Sequence, residues 1–284
     1  MTIMNHEPSD KDSLSLTKYL QWIKECYNKL QPGHRPLFFR GQANWQWRLL
    51  PTVLRDSRYD ERGIILDYKQ TFVAECDYLF NMERMLIEMQ HHLIPTRLFD
   101  WSVSPLTALY FACSNREYMD MDAKIYALNP WDAYRLLKPE GCPTYYFEIL
   151  KQSRLCSALN WTFEEIAGYI GRKFNYEINS LELEQPLPIV GRYMDDRVRS
   201  QQGCFTLWGT DKRPLDDFTV YKSNLMSFDV QAKDKSAILK SLSLLGINEF
   251  ILFSDREGLS KMIMNHGSHI TLHTEYLKTK SCQQ

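Results

Sequence analysis

The segment QHHLIPTRLFDWSVSPLTALYFA, from Gln90 to Ala112, constrains the fold of this chain more than any other stretch. Pro95 must end any helix that arrives from upstream, because its ring disfavours helical backbone at the residue before it. Shortly afterwards Ser104 and Pro105 pair a polar cap with a proline at the first helical position, which opens a new helix. Two His, an Arg, an Asp, a Trp and two Ser are therefore confined to a short passage between apolar helices. Buried polar groups need partners, so Gln90, His91, His92, Thr96, Arg97 and Asp100 either satisfy one another as a structural network or line a pocket. His91 and His92 are sequence neighbours and diverge by about 100° on a helix, which is poor geometry for chelating one metal.

The flanks support this frame. Residues 60–93 read as helical throughout, with no Pro and only Gly63. Residues 16–30 place Leu16, Tyr19, Leu20, Ile23, Cys26, Tyr27 and Leu30 at three- and four-residue steps, an amphipathic helix ended by the QPG at 31–33. PLFFRGQ predicts a buried strand that delivers Arg40 at its end, at the sheet edge, with Gly41 letting a ligand approach the backbone. Arg40 is then either a bidentate anion ligand or the partner of a structural Asp such as Asp100. AKIYAL reads as a short strand, and a helix is expected near 162–173.

In RVRSQQGCFTLWG, extended backbone around Gly203 would put Arg197, Arg199 and Gln201 on one face and Val198, Ser200 and Gln202 on the other. DKSAILKSLSLLG predicts a capped helix closed by Gly246. A strand INEFILF and a helix over 254–267 capped by Ser254 are expected to follow. The polar residues 1–15 read as a lead-in and 16–284 as a single domain. The class is α+β with a mixed sheet, since neither GxGxxG nor GxxxxGK[ST] occurs.

Composition narrows the partners. A net charge of -1 argues against nucleic-acid binding by bulk electrostatics, while leaving room for a local basic groove. The start lacks a secretory signal pattern, and no run of eighteen apolar residues occurs, so no membrane partner is expected. The seven cysteines are scattered without a CxxC and read as buried hydrophobes in a reducing compartment, the cytoplasm. GxSxG, HExxH and a framed carboxylate pair are absent, and no metal is expected.

Three blocks carry a resemblance: FFRGQANWQWRLLPTVLRD at 38–56, the 90–112 segment, and RVRSQQGCFTL at 197–207. In this order they resemble the FRG domain family, named for the Phe-Arg-Gly seen here as Phe39, Arg40 and Gly41. LGINEFILFSDREGLSKMI resembles the family's closing helix–strand–helix, so the resemblance spans roughly residues 16–265. Leu93 stands where the family usually has Gly after the paired His, and Phe99 stands in place of a Leu.

The family is distantly similar to ADP-ribosyltransferases. The resemblance implies a split sheet with an ADP-ribosyltransferase-like core, NAD as substrate and no metal. It implies an intracellular toxin or phage-defence effector with a neutralising antitoxin partner, acting on RNA, DNA or protein, possibilities that include a translation component. By that comparison Arg40 holds the NAD phosphates, and Ser102 or Ser104 supplies the serine-bearing strand. Gln201 or Gln202 takes the place of the late acidic residue, with His91 or His92 as the acid–base alternative. Trp101 or Tyr110 would stack on nicotinamide, and Gln42, Arg97, Asp100 and Arg197 complete the cofactor-binding set. The alternative is a nucleotide- or RNA-binding sensor that uses the same pocket without turnover.

Overall fold

The computed structural model describes residues 10–72, 82–137, 146–190, 196–253 and 260. Chain order runs α1 (Asp10–Leu30), β1 (Phe38–Gln42), α2 (Thr52–Arg55), α3 (Glu61–Phe72), α4 (Met82–His91), β2 (Leu98–Ser102), α5 (Pro105–Cys113) and β3 (Ala123–Leu128). It continues through α6 (Pro130–Leu137), α7 (Tyr146–Ala158), α8 (Phe163–Phe174), α9 (Leu181–Glu184), β4 (Leu187–Ile189), α10 (Asp196–Ser200) and β5 (Gly203–Leu207). It closes with α11 (Thr219–Lys222), β6 (Leu225–Val230), α12 (Lys235–Leu244) and α13 (Glu249–Leu252).

The fold is α+β, as the sequence predicts. Among the described residues the strands form one sheet in the order β4-β5-β2-β1-β3-β6. Each neighbouring pair is antiparallel, which corrects the expectation of mixed strand directions. The expected split is present. β1 pairs with β3 from Phe38↔Leu128 to Gln42↔Lys124, and β2 pairs with β5 from Leu98↔Leu207 to Ser102↔Gly203. Between β1 and β2 the register is recorded at Phe39↔Ser102 alone, so the two strands part beyond that point.

Alternation along the strands builds two faces. Phe38, Phe99 and Trp101 pack with Trp208, Leu215, Phe218 and Tyr221 on one side. On the other side Phe39 meets Tyr19 and Trp22 of α1, Ala108 and Ala112 of α5, and Ile238 of α12. Beside that cluster, Leu98, Phe205 and Leu207 pack against Met85, Leu86 and Met89 of α4 and Leu150 and Leu155 of α7. Two helical groups thus sit side by side on one face of the sheet, over either half of the split.

Ser104 caps α5 as expected, its Oγ accepting from Thr107 N at 3.3 Å with Pro105 next in line. Ser104→Ala should cost about 1 kcal/mol, a fall in Tm of about 2–4 °C that a thermal melt reads directly.

Several local expectations change. β1 is a central strand with Arg40 at its middle, not a strand that ends at the sheet edge. Gly41 is approached by α5 and not by open space, since a Cβ there would lie 1.9 Å from the Ala108 carbonyl oxygen. Residues 196–200 form the helical turn α10, so the proposed strand faces of Arg197, Arg199 and Gln201 do not exist. INEFILF contains the one-turn helix α13 in place of a strand, because the Asn248 side chain accepts from Ile251 N at 3.1 Å and caps it. α1 begins at Asp10, inside the expected lead-in. α12 lacks a side-chain cap from Asp234, although it closes on Gly246 at φ +80. The helix expected over 60–93 is seen as α3 and α4; residues 73–81, the helix over 254–267 apart from residue 260, and Cys76, Cys142 and Cys282 lie outside the described residues.

Among the described residues no helix is long and apolar enough to cross a membrane. The described cysteines, Cys26, Cys113, Cys156 and Cys204, are buried free thiols. Burial pushes Cys26, Cys113 and Cys156 up to about 12, which leaves none of those three poised as a nucleophile at neutral pH.

Candidate functional site

The parting of β1 and β2 opens into a cleft of about 720 Å³ between the two helical groups, a size suited to a nucleotide-scale ligand. Arg40 occupies the seam. Its Nη1 donates to the Asp100 backbone oxygen at 2.6 Å and lies 4.0 Å from the Asp100 carboxylate, while its guanidinium stacks 3.8 Å from the Phe99 ring centroid. The Asp100 reading of Arg40 holds, and Arg40 also borders the cleft. Its buried Nε has no hydrogen-bond partner. Burial lowers the guanidinium to about 10, opposed by Asp100 and assisted by Arg55, so it remains charged at neutral pH. Arg55, which sequence reasoning passed over, adds a second cation acting on Asp100.

Asp100 is oriented from α4. Leu98 N donates to Thr96 Oγ1 at 3.1 Å, Thr96 Oγ1 to Gln90 Oε1 at 2.7 Å, and Gln90 Nε2 to Asp100 Oδ2 at 2.8 Å. The polar residues of this segment thus form a network that ends at the cleft. His91 lines the cleft, and its carbonyl accepts from Arg197 Nη1 at 3.2 Å.

The turn after α4 is a Schellman closure, with Leu93 N donating to Gln90 O at 3.1 Å and Ile94 N to Met89 O at 2.9 Å. Leu93 adopts φ +60, a left-handed conformation that costs about 1–2 kcal/mol for a residue with a Cβ. Glycine would adopt it freely.

The other wall comes from α5, α10 and α13. Ser102 Oγ donates to Gln201 O at 2.6 Å and accepts from Ser104 N at 2.9 Å, which ties β2 to the turn after α10. Gln201 borders the cleft, but its Nε2 donates to Leu252 O at 3.0 Å. Arg197 lies 4.7 Å over the Phe253 ring. Tyr110 lines the same space; burial and the nearby Glu249 push it up to about 12 against a hydrogen bond from Ser114. Asp100 and Glu249 are the carboxylates among the lining residues. Glu249 and Phe253 were not singled out from sequence, because the apolar pattern around them reads as a strand, and Phe111 was passed over within an apolar helix.

The structure thus brings together Arg40, His91, Asp100, Ser102, Tyr110, Arg197 and Gln201 around one cleft. The other candidates are held in the fold's own contacts or lie outside the lining. Arg97 is buried in a two-pronged ion pair with Glu61, Nε–Oε1 at 2.8 Å and Nη2–Oε2 at 2.6 Å, and its Nη1 faces the carbonyls of Arg154, Trp208 and Gly209. Trp101 borders the cleft but is 3 % exposed, with Nε1 donating to Thr206 Oγ1 at 2.8 Å and its ring edge-on to Phe99. That burial is at odds with a role in stacking on a ligand. Gln42 is buried with its Nε2 3.4 Å from Arg48 O, and Ser104 is the α5 cap. His92 and Gln202 are exposed and outside the lining, Gln202 at φ +50 in a turn. Among the described residues no group of three or more His, Cys, Asp or Glu is placed to hold a metal.

Comparison with protein families matches residues 35–121 to the FRG domain, a span from just before β1 to just before β3 that contains the seam, the Asp100 network and α5. The 197–207 block and the closing segment lie outside that match. No curated protein and no solved structure matches the chain.

Proposed function

Starting from a chain that carries an FRG domain across residues 35–121, we propose that the cleft binds NAD and transfers its ADP-ribosyl group to an acceptor. The observation that carries this reading is Arg40: a charged guanidinium held in the sheet seam, with a buried Nε lacking a partner, beside a cleft of nucleotide size. A diphosphate matches the fork geometry of Arg and would give the buried guanidinium an anionic partner. Arg55 and Arg197 add positive charge to the same region. Tyr110, Phe111 and Phe253 give it aromatic walls.

In the reaction the bond between nicotinamide nitrogen and ribose C1′ breaks, and nicotinamide leaves with the electron pair. An acceptor nucleophile forms the new bond to C1′ and gives up its proton. Asp100 and Glu249 are the carboxylates available to stabilise the positive ribose, and Glu249 or His91 the groups available to take the proton. This differs from the sequence-based assignment, because the Gln201 amide is engaged by Leu252 and Gln202 lies outside the lining. Acceptors on RNA, DNA or protein, and an effector role harmful to a cell, belong to the same proposal.

The engaged Gln201 also favours a second reading, a pocket that holds the nucleotide without turnover. The deciding experiment is label transfer from adenylate-labelled NAD in a whole-cell extract. Wild type should label an acceptor, and Arg40→Ala should lower transfer by at least about 100-fold while remaining folded. A Tm raised by NAD without any label would support the sensor. A Tm unmoved by saturating NAD would defeat both readings.

A further inference from the structure

At the end of α4 the cleft is lined by a residue whose side chain stands outside the core. Leu93 is held at φ +60 within the Schellman closure, where glycine would be unstrained. It is 76 % exposed, so little burial offsets the strain. Exposed leucines are common and alone carry no meaning. One kept at positive φ, with its side chain outside the core, is an outlier of the kind that persists where function requires it. Leu93 also lines the cleft together with Ile94, Phe253 and Arg197. His91, in the same turn, takes the hydrogen bond from Arg197 at 3.2 Å, and Arg197 lies 4.7 Å over Phe253. The turn that bears Leu93 is therefore fixed to a cationic and aromatic platform in the same cleft.

We propose that Leu93 is a specificity-determining residue that lays its apolar side chain against the planar base of a nucleotide whose diphosphate is held by Arg40. This rests on the nucleotide reading of the cleft. Ringless phosphate ligands gain nothing from Leu93, whereas a nicotinamide or adenine ring gains an apolar contact beside the aromatic wall that Phe253 supplies.

Calorimetric titration of the full chain with NAD, ADP-ribose and inorganic pyrophosphate tests the assignment, with Tm recorded for each variant. Leu93→Gly relieves the backbone and removes the side chain, so its Tm should rise by about 1–3 °C. Leu93→Ala keeps the Cβ and hence the strain, so its Tm should not rise. Both should bind NAD about tenfold more weakly, with pyrophosphate affinity unchanged. An equal loss for ADP-ribose identifies adenine as the ring in contact, and an unchanged ADP-ribose affinity identifies nicotinamide. Wild type that binds NAD alongside two variants of equal affinity overturns the role of Leu93 alone, as does a fall in Tm for Leu93→Gly. Wild type that binds neither NAD nor ADP-ribose overturns the nucleotide reading and this assignment with it.

Discussion

Gly41→Ala should abolish the native fold. The added Cβ would lie 1.9 Å from the Ala108 carbonyl oxygen and 2.7 Å from Ala112 N, both backbone atoms of α5. No rotamer change can relieve a clash with backbone, so α5 would have to retreat from β1 as a unit. That helix carries Ala108, Leu109, Ala112 and Cys113, all buried in the cluster with Tyr19, Phe39 and Ile125, so its retreat would open voids throughout one half of the core. We expect a loss of more than about 4 kcal/mol, seen as insoluble expression or a Tm lowered by more than about 8 °C. Ala108→Gly in the same chain should not rescue it, because the obstacle is the carbonyl oxygen. A soluble Gly41→Ala protein melting within a degree or two of wild type would contradict the close packing of α5 on β1.

Glu61→Ala should cause the next largest loss. Glu61 and Arg97 have side chains 11 % and 7 % exposed, and the carboxylate meets Nε and Nη2 together. Removing the acid leaves a buried guanidinium facing carbonyls alone, which costs about 3–5 kcal/mol and lowers Tm by about 6–20 °C. The paired replacement Glu61→Leu with Arg97→Met should recover most of that loss, because it removes the charge and the need to compensate it. Because the pair is shielded from solvent, the loss should change little with added salt. Urea melts of the single and paired variants give the comparison; singles within 1 kcal/mol of wild type, by the measure of ordinary surface changes, would show the ion pair to be idle.

The same pair shows why the site was only partly legible. Local signals carried well: Ser104 with Pro105 opens α5, AKIYAL is β3, and the three-and-four spacing from Leu16 is α1. Roles that depend on distant partners did not carry. Arg97 sits among site candidates in the sequence, yet its partner Glu61 is 36 residues upstream and no local pattern announces it. Trp101 has the chemistry of a stacking platform, but Thr206, 105 positions away, accepts its N–H inside the core. Glu249 was hidden by an apolar run that favours a strand, until the Asn248 cap turned it into a helical turn at the cleft. Arg40 and Asp100 were legible as chemistry from their types and surroundings; the parting of the strands between them depends on register, which composition does not encode.

That parting has a mechanical consequence. Two three-stranded plates, each laced by continuous ladders, meet along a line fastened by a single backbone register, by the reach of the Arg40 side chain and, on one face, by the core in which Phe38 packs with Phe99 and Trp101. Tilting one plate against the other would break few backbone hydrogen bonds but would shear that core, so the seam resists opening through side-chain packing more than through its ladder.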